Sequence, residues 1–158
     1  AHEAFRSKVP VPKENLHRMR TDNGTPEQSA AVYKRELHTF FREHDCMNQR
    51  GIPVFDLIQL GMGEDGHTAS LFPGSPSLLE SEKIVVHTES PKNSLPAVER
   101  VTITYPLINS ARNVFFIIKG SGKIEKLKKF AAAGNDEYAK SIPAARVNVE
   151  HTLWLCCP

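Results

Sequence analysis

Val54-Phe55-Asp56-Leu57-Ile58-Gln59-Leu60, preceded by Gly51 and Pro53, is the stretch that decides the fold. A short apolar run bounded by backbone breakers reads as a strand buried mostly on both faces, the pattern of a parallel sheet. Four further apolar runs, over 84–88, 101–105, 114–119 and 152–156, read as strands. Between the last two the spacing predicts a helix over 122–133, with Ile124, Leu127 and Phe130 on one side. Upstream, Thr25-Pro26-Glu27-Gln28 is a helix start: Thr caps, Pro fills the first turn, and Gln completes a capping box. That helix is expected to reach about Glu43, because Ala30, Tyr33, Leu37, Phe40 and Phe41 recur at steps of three and four. Strands that alternate with helices imply an α/β layered domain with a mainly parallel sheet. The chain also offers a helix-like stretch over 1–7, a Pro10/Pro12 break and a short strand over 15–19.

Ligand sites in open α/β sheets lie beyond the carboxyl ends of the strands. The loop Gly61-Met62-Gly63-Glu64-Asp65-Gly66-His67-Thr68 follows Leu60 at such an end. Gly61, Gly63 and Gly66 spell G-x-G-x-x-G, the dinucleotide fingerprint. That reading fails on three counts. The fingerprint must open a long helix, and Pro73-Gly74 arrives too soon for one. Glu64 and Asp65 would set negative charge beside a pyrophosphate, and no clean ribose-binding acid follows about 20 residues on. What remains is an acid and an imidazole two residues apart on a turn-rich backbone. Histidine titrates near neutrality and can take a proton from water and return it. A carboxylate beside it can fix the ring tautomer, so Asp65 is a partner for His67 or a ligand for a sugar hydroxyl.

Composition narrows the classes. In 158 residues, 40% are hydrophobic and 24% charged, so one domain with a sizeable core is expected. The 20 basic and 18 acidic side chains leave a net charge of only +2. The single basic run, over 119–129, reads as a solvated helix face, so no nucleic-acid partner is expected. No apolar run approaches the ~20 residues of a membrane helix and no secretory signal opens the chain. Cys46, Cys156 and Cys157 describe no disulfide framework, which favours a reducing, cytoplasmic setting. His38, His44 and Cys46 match no common zinc spacing, and no metal or cofactor is expected. His17, His87 and His151 stand in no comparable context.

The run from Leu60 to Gly74, L-G-M-G-E-D-G-H-T-A-S-L-F-P-G, resembles the signature of 6-phosphogluconolactonases. The likeness extends to Val9-Pro10-Val11-Pro12-Lys13-Glu14-Asn15-Leu16-His17, which resembles V-P-x-P-x-E-N-x-H. It extends further to Arg100-Val101-Thr102-Ile103-Thr104-Tyr105-Pro106-Leu107-Ile108-Asn109, which resembles R-x-T-x-T-x-P-x-I-N, and to Gly120 and Lys123 in a G-x-x-K step. The resemblance implies a three-layer, Rossmann-like sheet of the isomerase/lactonase type with helices on both faces. It also implies that residues 1–158 form a single domain lacking the family's N-terminal part. The activity implied is hydrolysis of 6-phospho-D-glucono-1,5-lactone to 6-phosphogluconate in the pentose phosphate pathway. His67 would act as general base with Asp65 beside it, and Gly61, Gly63 and Gly66 would shape the substrate turn, their amides steadying an oxyanion. Lys92 and Arg100 would bind the phosphate, with Lys123 and Arg112 weaker candidates and Pro91 and Pro96 stiffening the loop. Fusion to or coupling with a glucose-6-phosphate dehydrogenase is a further implication. Two rivals stay open: a glucosamine-6-phosphate deaminase/isomerase, and an inactive sugar-phosphate-binding domain. The deaminase core continues A-F-N-E-P, whereas this chain has Ala69-Ser70-Leu71-Phe72-Pro73 and lacks that glutamate.

Overall fold

The computed structural model describes residues 8–22, 24–89, 98–134 and 136–158. The expected helix over 1–7, and Pro91, Lys92 and Pro96, lie outside the described residues.

Helix α1 (Pro26–Glu43) starts where the capping box predicts. The Gln28 amide donates to Thr25 Oγ1 at 3.3 Å, and the Thr25 amide donates to Gln28 Oε1 at 2.9 Å. Its apolar face buries Ala30, Leu37 and Phe41, which join Ile84, Val85 and Leu107 in one cluster. The strand expected over 15–19 does not form. Residues 13–15 make a 3-10 turn, and the segment after it lies against α1 instead of a ladder. His17 sets the ring against Phe40 at 4.4 Å, and its Nδ1 pairs with Glu36 Oε1 at 2.8 Å.

Strand β1 (Ile58–Leu60) is shorter than the sequence implies, because the residues before it spend their backbone elsewhere. The Val54 amide donates to the Cys46 carbonyl, Phe55 O accepts from the Arg112 amide, and Asp56 O accepts from Asn113 Nδ2. β1 pairs in parallel with β4 (Asn113–Lys119), and β4 pairs in parallel with β5 (His151–Cys157), giving the order β1-β4-β5. A parallel sheet is therefore present. The expectation of two buried faces is corrected: Ile58, Leu60, Val114, Phe116 and Ile118 are buried on one face, while Gln59, Ile117, Leu153 and Leu155 on the other are exposed.

Strands β2 (Val85–Glu89) and β3 (Glu99–Ile103) stand apart as an antiparallel hairpin, a second correction to the mainly parallel expectation. The nine residues between them suit a hairpin, whereas a parallel return needs about a dozen or more. The apolar run over 101–105 predicts a strand as far as Tyr105, but β3 ends at Ile103. Tyr105 instead opens α2 (Tyr105–Ile108), with Pro106 in its first turn. Helix α3 (Ser121–Ala133) crosses from β4 toward β5 and is followed by α4 (Glu137–Ser141). These helices bury Phe130 and Ala139, with Ile142 just after α4, against the covered sheet face, where Phe116 stacks on Trp154 at 3.8 Å. Each large side chain buried this way contributes about 1.5–3 kcal/mol. No helix among the described residues is long and apolar enough to cross a membrane.

Candidate active site

The loop after β1 is a compact turn held by its own backbone. The Gly63 amide donates to the His67 carbonyl at 2.9 Å, and the Gly66 amide donates to the Gly63 carbonyl at 3.0 Å. Thr68 Oγ1 reaches back to the Gly61 carbonyl at 2.9 Å, and Thr68 is fully buried. The Ala144 amide donates to the Gly66 carbonyl, tying the turn to the 3-10 segment Pro143–Arg146. No helix opens at Gly66, the next helical segment being the short 3-10 turn Pro76–Leu79, which removes the structural basis of the dinucleotide fingerprint.

The turn brings Asp65 and His67 together. Asp65 Oδ1 accepts the His67 amide at 3.1 Å and lies 2.6 Å from His67 Nδ1. With the carboxylate on Nδ1, that nitrogen carries the proton in the neutral ring and Nε2 is left as the basic atom. The ring also lies 4.6 Å from Phe72, which fixes its apolar edge. Both side chains are partly exposed.

Two of the three glycines are required by this geometry. A Cβ on Gly63 would run into the His67 ring and lie 2.6 Å from Asp65 Oδ1. Gly66 has φ +90°, and a Cβ there would lie 2.9 Å from Ile142 Cγ2. At Gly61 the nearest such atom is 3.9 Å away, so this position is not sterically constrained. The amides of Gly63, Gly66 and His67 are spent inside the turn, which corrects the expectation that the Gly63 and Gly66 amides are offered to an oxyanion.

His67 opens onto a cavity of about 410 Å³ lined by Gln59, Leu60, Gly61, Met62, Gly63, Ala69 and Lys123. Lys123 stands in the first turn of α3, where the helix amides also favour an anion. By sequence alone it is a weaker phosphate candidate than Lys92 and Arg100. Its place beside His67 arises from the pairing of β1 with β4, which puts the β1 loop and the α3 start at one sheet edge. Arg100 lies on β3 opposite Thr88, on the hairpin face that carries Thr102. Thr102 Oγ1 accepts the Ser70 amide at 3.0 Å, so this face abuts the loop, yet Arg100 does not line the His67 cavity. Arg112 is drawn away to Asp56 at 3.2 Å. A larger cavity, about 760 Å³, lies between the 72–80 segment and β2 and excludes His67. The Asp65–His67 pair, not the larger volume, marks the candidate site.

Fold and loop together define an α/β protein with a carboxylate–imidazole pair at the carboxyl end of a parallel strand. Residues 1–154 match the family described as glucosamine-6-phosphate isomerases/6-phosphogluconolactonase. The chain is 41% identical over 156 residues to a 6-phosphogluconolactonase of Synechocystis sp., covering 98% of this chain and 60% of that protein. It is 40% identical over 151 residues to the human 6-phosphogluconolactonase, covering 95% of this chain and 53% of that protein. Among solved structures, the 6-phosphogluconolactonase from Thermotoga maritima superposes with a TM-score of 0.77 at 28% identity, covering 99% of this chain and 62% of the other. The chain belongs to the glucosamine-6-phosphate isomerase/6-phosphogluconolactonase family. It spans about half to three-fifths of the length of the curated relatives it matches.

Proposed function

We propose that this chain carries the hydrolytic centre for 6-phospho-D-glucono-1,5-lactone, converting it to 6-phosphogluconate in the pentose phosphate pathway. The observation that supports this most directly is the Asp65–His67 pair, with Nδ1 engaged at 2.6 Å and Nε2 left as base beside a cavity. In this reading Nε2 takes a proton from water, and the water oxygen bonds to the lactone carbonyl carbon. The ring C–O bond then breaks, and the imidazolium returns the proton to the departing ring oxygen. Asp65 stabilises the imidazolium in between. Such acid–base help is worth about 10²–10⁴-fold. Lys123, at the cavity wall, stands where it can hold a substrate anion, and Lys92 and Arg100 remain the proposed phosphate ligands.

The same footing supports the finer structural reading: one domain over residues 1–158, belonging to a three-layer Rossmann-like sheet and lacking an N-terminal part. The exposed apolar sheet face and the partial coverage of the relatives agree with it. A cytoplasmic setting is proposed from the three free cysteines, although one relative, from Arabidopsis thaliana, is named as chloroplastic. Fusion to or coupling with a glucose-6-phosphate dehydrogenase is proposed on family resemblance, and the mass of the native polypeptide tests it.

The deciding experiment follows lactone disappearance above its spontaneous hydrolysis. His67→Asn is expected to lower turnover by about 10²-fold or more while leaving the circular dichroism spectrum unchanged. Unaltered turnover would refute the base. Ammonia release from glucosamine 6-phosphate, assayed in parallel, separates the deaminase alternative.

A further inference from the structure

On the far side of the hairpin from the His67 loop, three side chains from three elements converge: Glu27 of α1, His87 of β2 and Glu99 of β3. One ligand atom from each lies within 4.8 Å of the others, the one such group among the described residues. His87 Nε2 is 3.4 Å from Glu27 Oε1. The strand register explains the convergence. His87 pairs with Val101 and Glu89 with Glu99, so these four side chains share one hairpin face. That face turns toward α1, because Val85, Val101 and Ile103 on it pack in the cluster with Ala30, Leu37 and Phe41. Glu27, in the first turn of α1, then hangs over the strand ends.

The position of Glu27 has an ordinary cause, since the helix start favours a carboxylate and an exposed pair with histidine is worth little. That cause does not reach Glu99. Glu89 and Glu99 stand directly opposite each other across the hairpin, a like-charge pairing that costs stability unless something neutralises it. One imidazole and converging carboxylates are a donor set that borderline divalent metals prefer. Tetrahedral zinc with bonds of about 2.0–2.1 Å places its ligand atoms roughly 3.3 Å apart, close to the existing Glu27–His87 separation. Glu99 is exposed, and its ligand oxygen lies within 4.8 Å of the other two ligand atoms.

We propose that Glu27, His87 and Glu99 form a site for a divalent cation of zinc type, which clamps the start of α1 to the open end of the β2–β3 hairpin. The site is structural, and it uses none of the groups placed at the His67 cavity. The test titrates Zn²⁺ into the chelator-stripped chain, by calorimetry and by thermal unfolding. One ion per chain is expected, with Tm raised by about 5–10 °C at a hundredfold excess over Kd. His87→Gln and Glu99→Gln should each weaken binding about tenfold or more; the metal-free Tm should stay nearly unchanged in the first and rise slightly in the second, where the Glu89–Glu99 repulsion is relieved. A Cys156→Ser/Cys157→Ser double variant should bind as the parent does, which separates this site from the adjacent thiols. Absence of binding, affinity indifferent to His87→Gln, loss of binding in the cysteine variant, or equal stabilisation by Mg²⁺ would each overturn the proposal.

Discussion

At the level of single residues, Gly63 governs the candidate site more tightly than any charged group does. Its missing side chain is the floor on which the His67 ring and the Asp65 carboxylate rest. Gly63→Ala should therefore keep the fold, since no positive φ is involved, yet push the pair apart and cut lactone turnover by about 10²-fold. Gly61→Ala is the control. With 3.9 Å of clearance it should retain near-parental rates, and a steady-state comparison of the two variants checks both statements. The sequence made His67 and Asp65 legible because their chemistry and their spacing are local. Lys123 was undervalued for the opposite reason, since its neighbourhood with His67 exists only once two distant strands lie side by side.

Among elements, α2 and the 3-10 segment after α4 are joined through Tyr105. Its hydroxyl donates to the Pro143 carbonyl at 2.8 Å, and the Arg146 guanidinium sits 4.9 Å from the ring centre. Burial pushes the Tyr105 hydroxyl up to about 12, against a partial opposing pull from Arg146. A raised folded-state value means the contribution is fully present below the unfolded value near 10 and is lost as pH rises through 12. Stability should thus fall by up to about 2–3 kcal/mol across pH 10–12, and Tyr105→Phe should flatten that slope in urea titrations followed by fluorescence. Elements with strong local signals were readable in advance: the capping box of α1 and the apolar spacing of α3 predicted both within a residue or so. The antiparallel hairpin is not legible in the sequence, because a strand's own residues do not name its partner. Helix α4 was missed because five residues carry too little periodicity, and what secures it is the Asp136 carboxylate accepting the Ala139 amide at 2.9 Å.

For the molecule as a whole, β4 is the central strand of the parallel sheet. It lies between β1 and β5, and its Phe116 is fully buried against Trp154. Phe116→Ala should cost about 3–5 kcal/mol, seen as a lower midpoint in urea unfolding, with the far-ultraviolet spectrum of the native state retained. The pairing of Ile58 with Val114 encloses the turn, the hairpin and α2 within a single loop of chain. Long-range closures of this kind are slow, because chain entropy is spent before any ladder contact repays it. During synthesis the Gly61–Thr68 segment therefore leaves the ribosome well ahead of the strand that seats it. The acid–imidazole pair can be local in sequence and still be among the last features to mature.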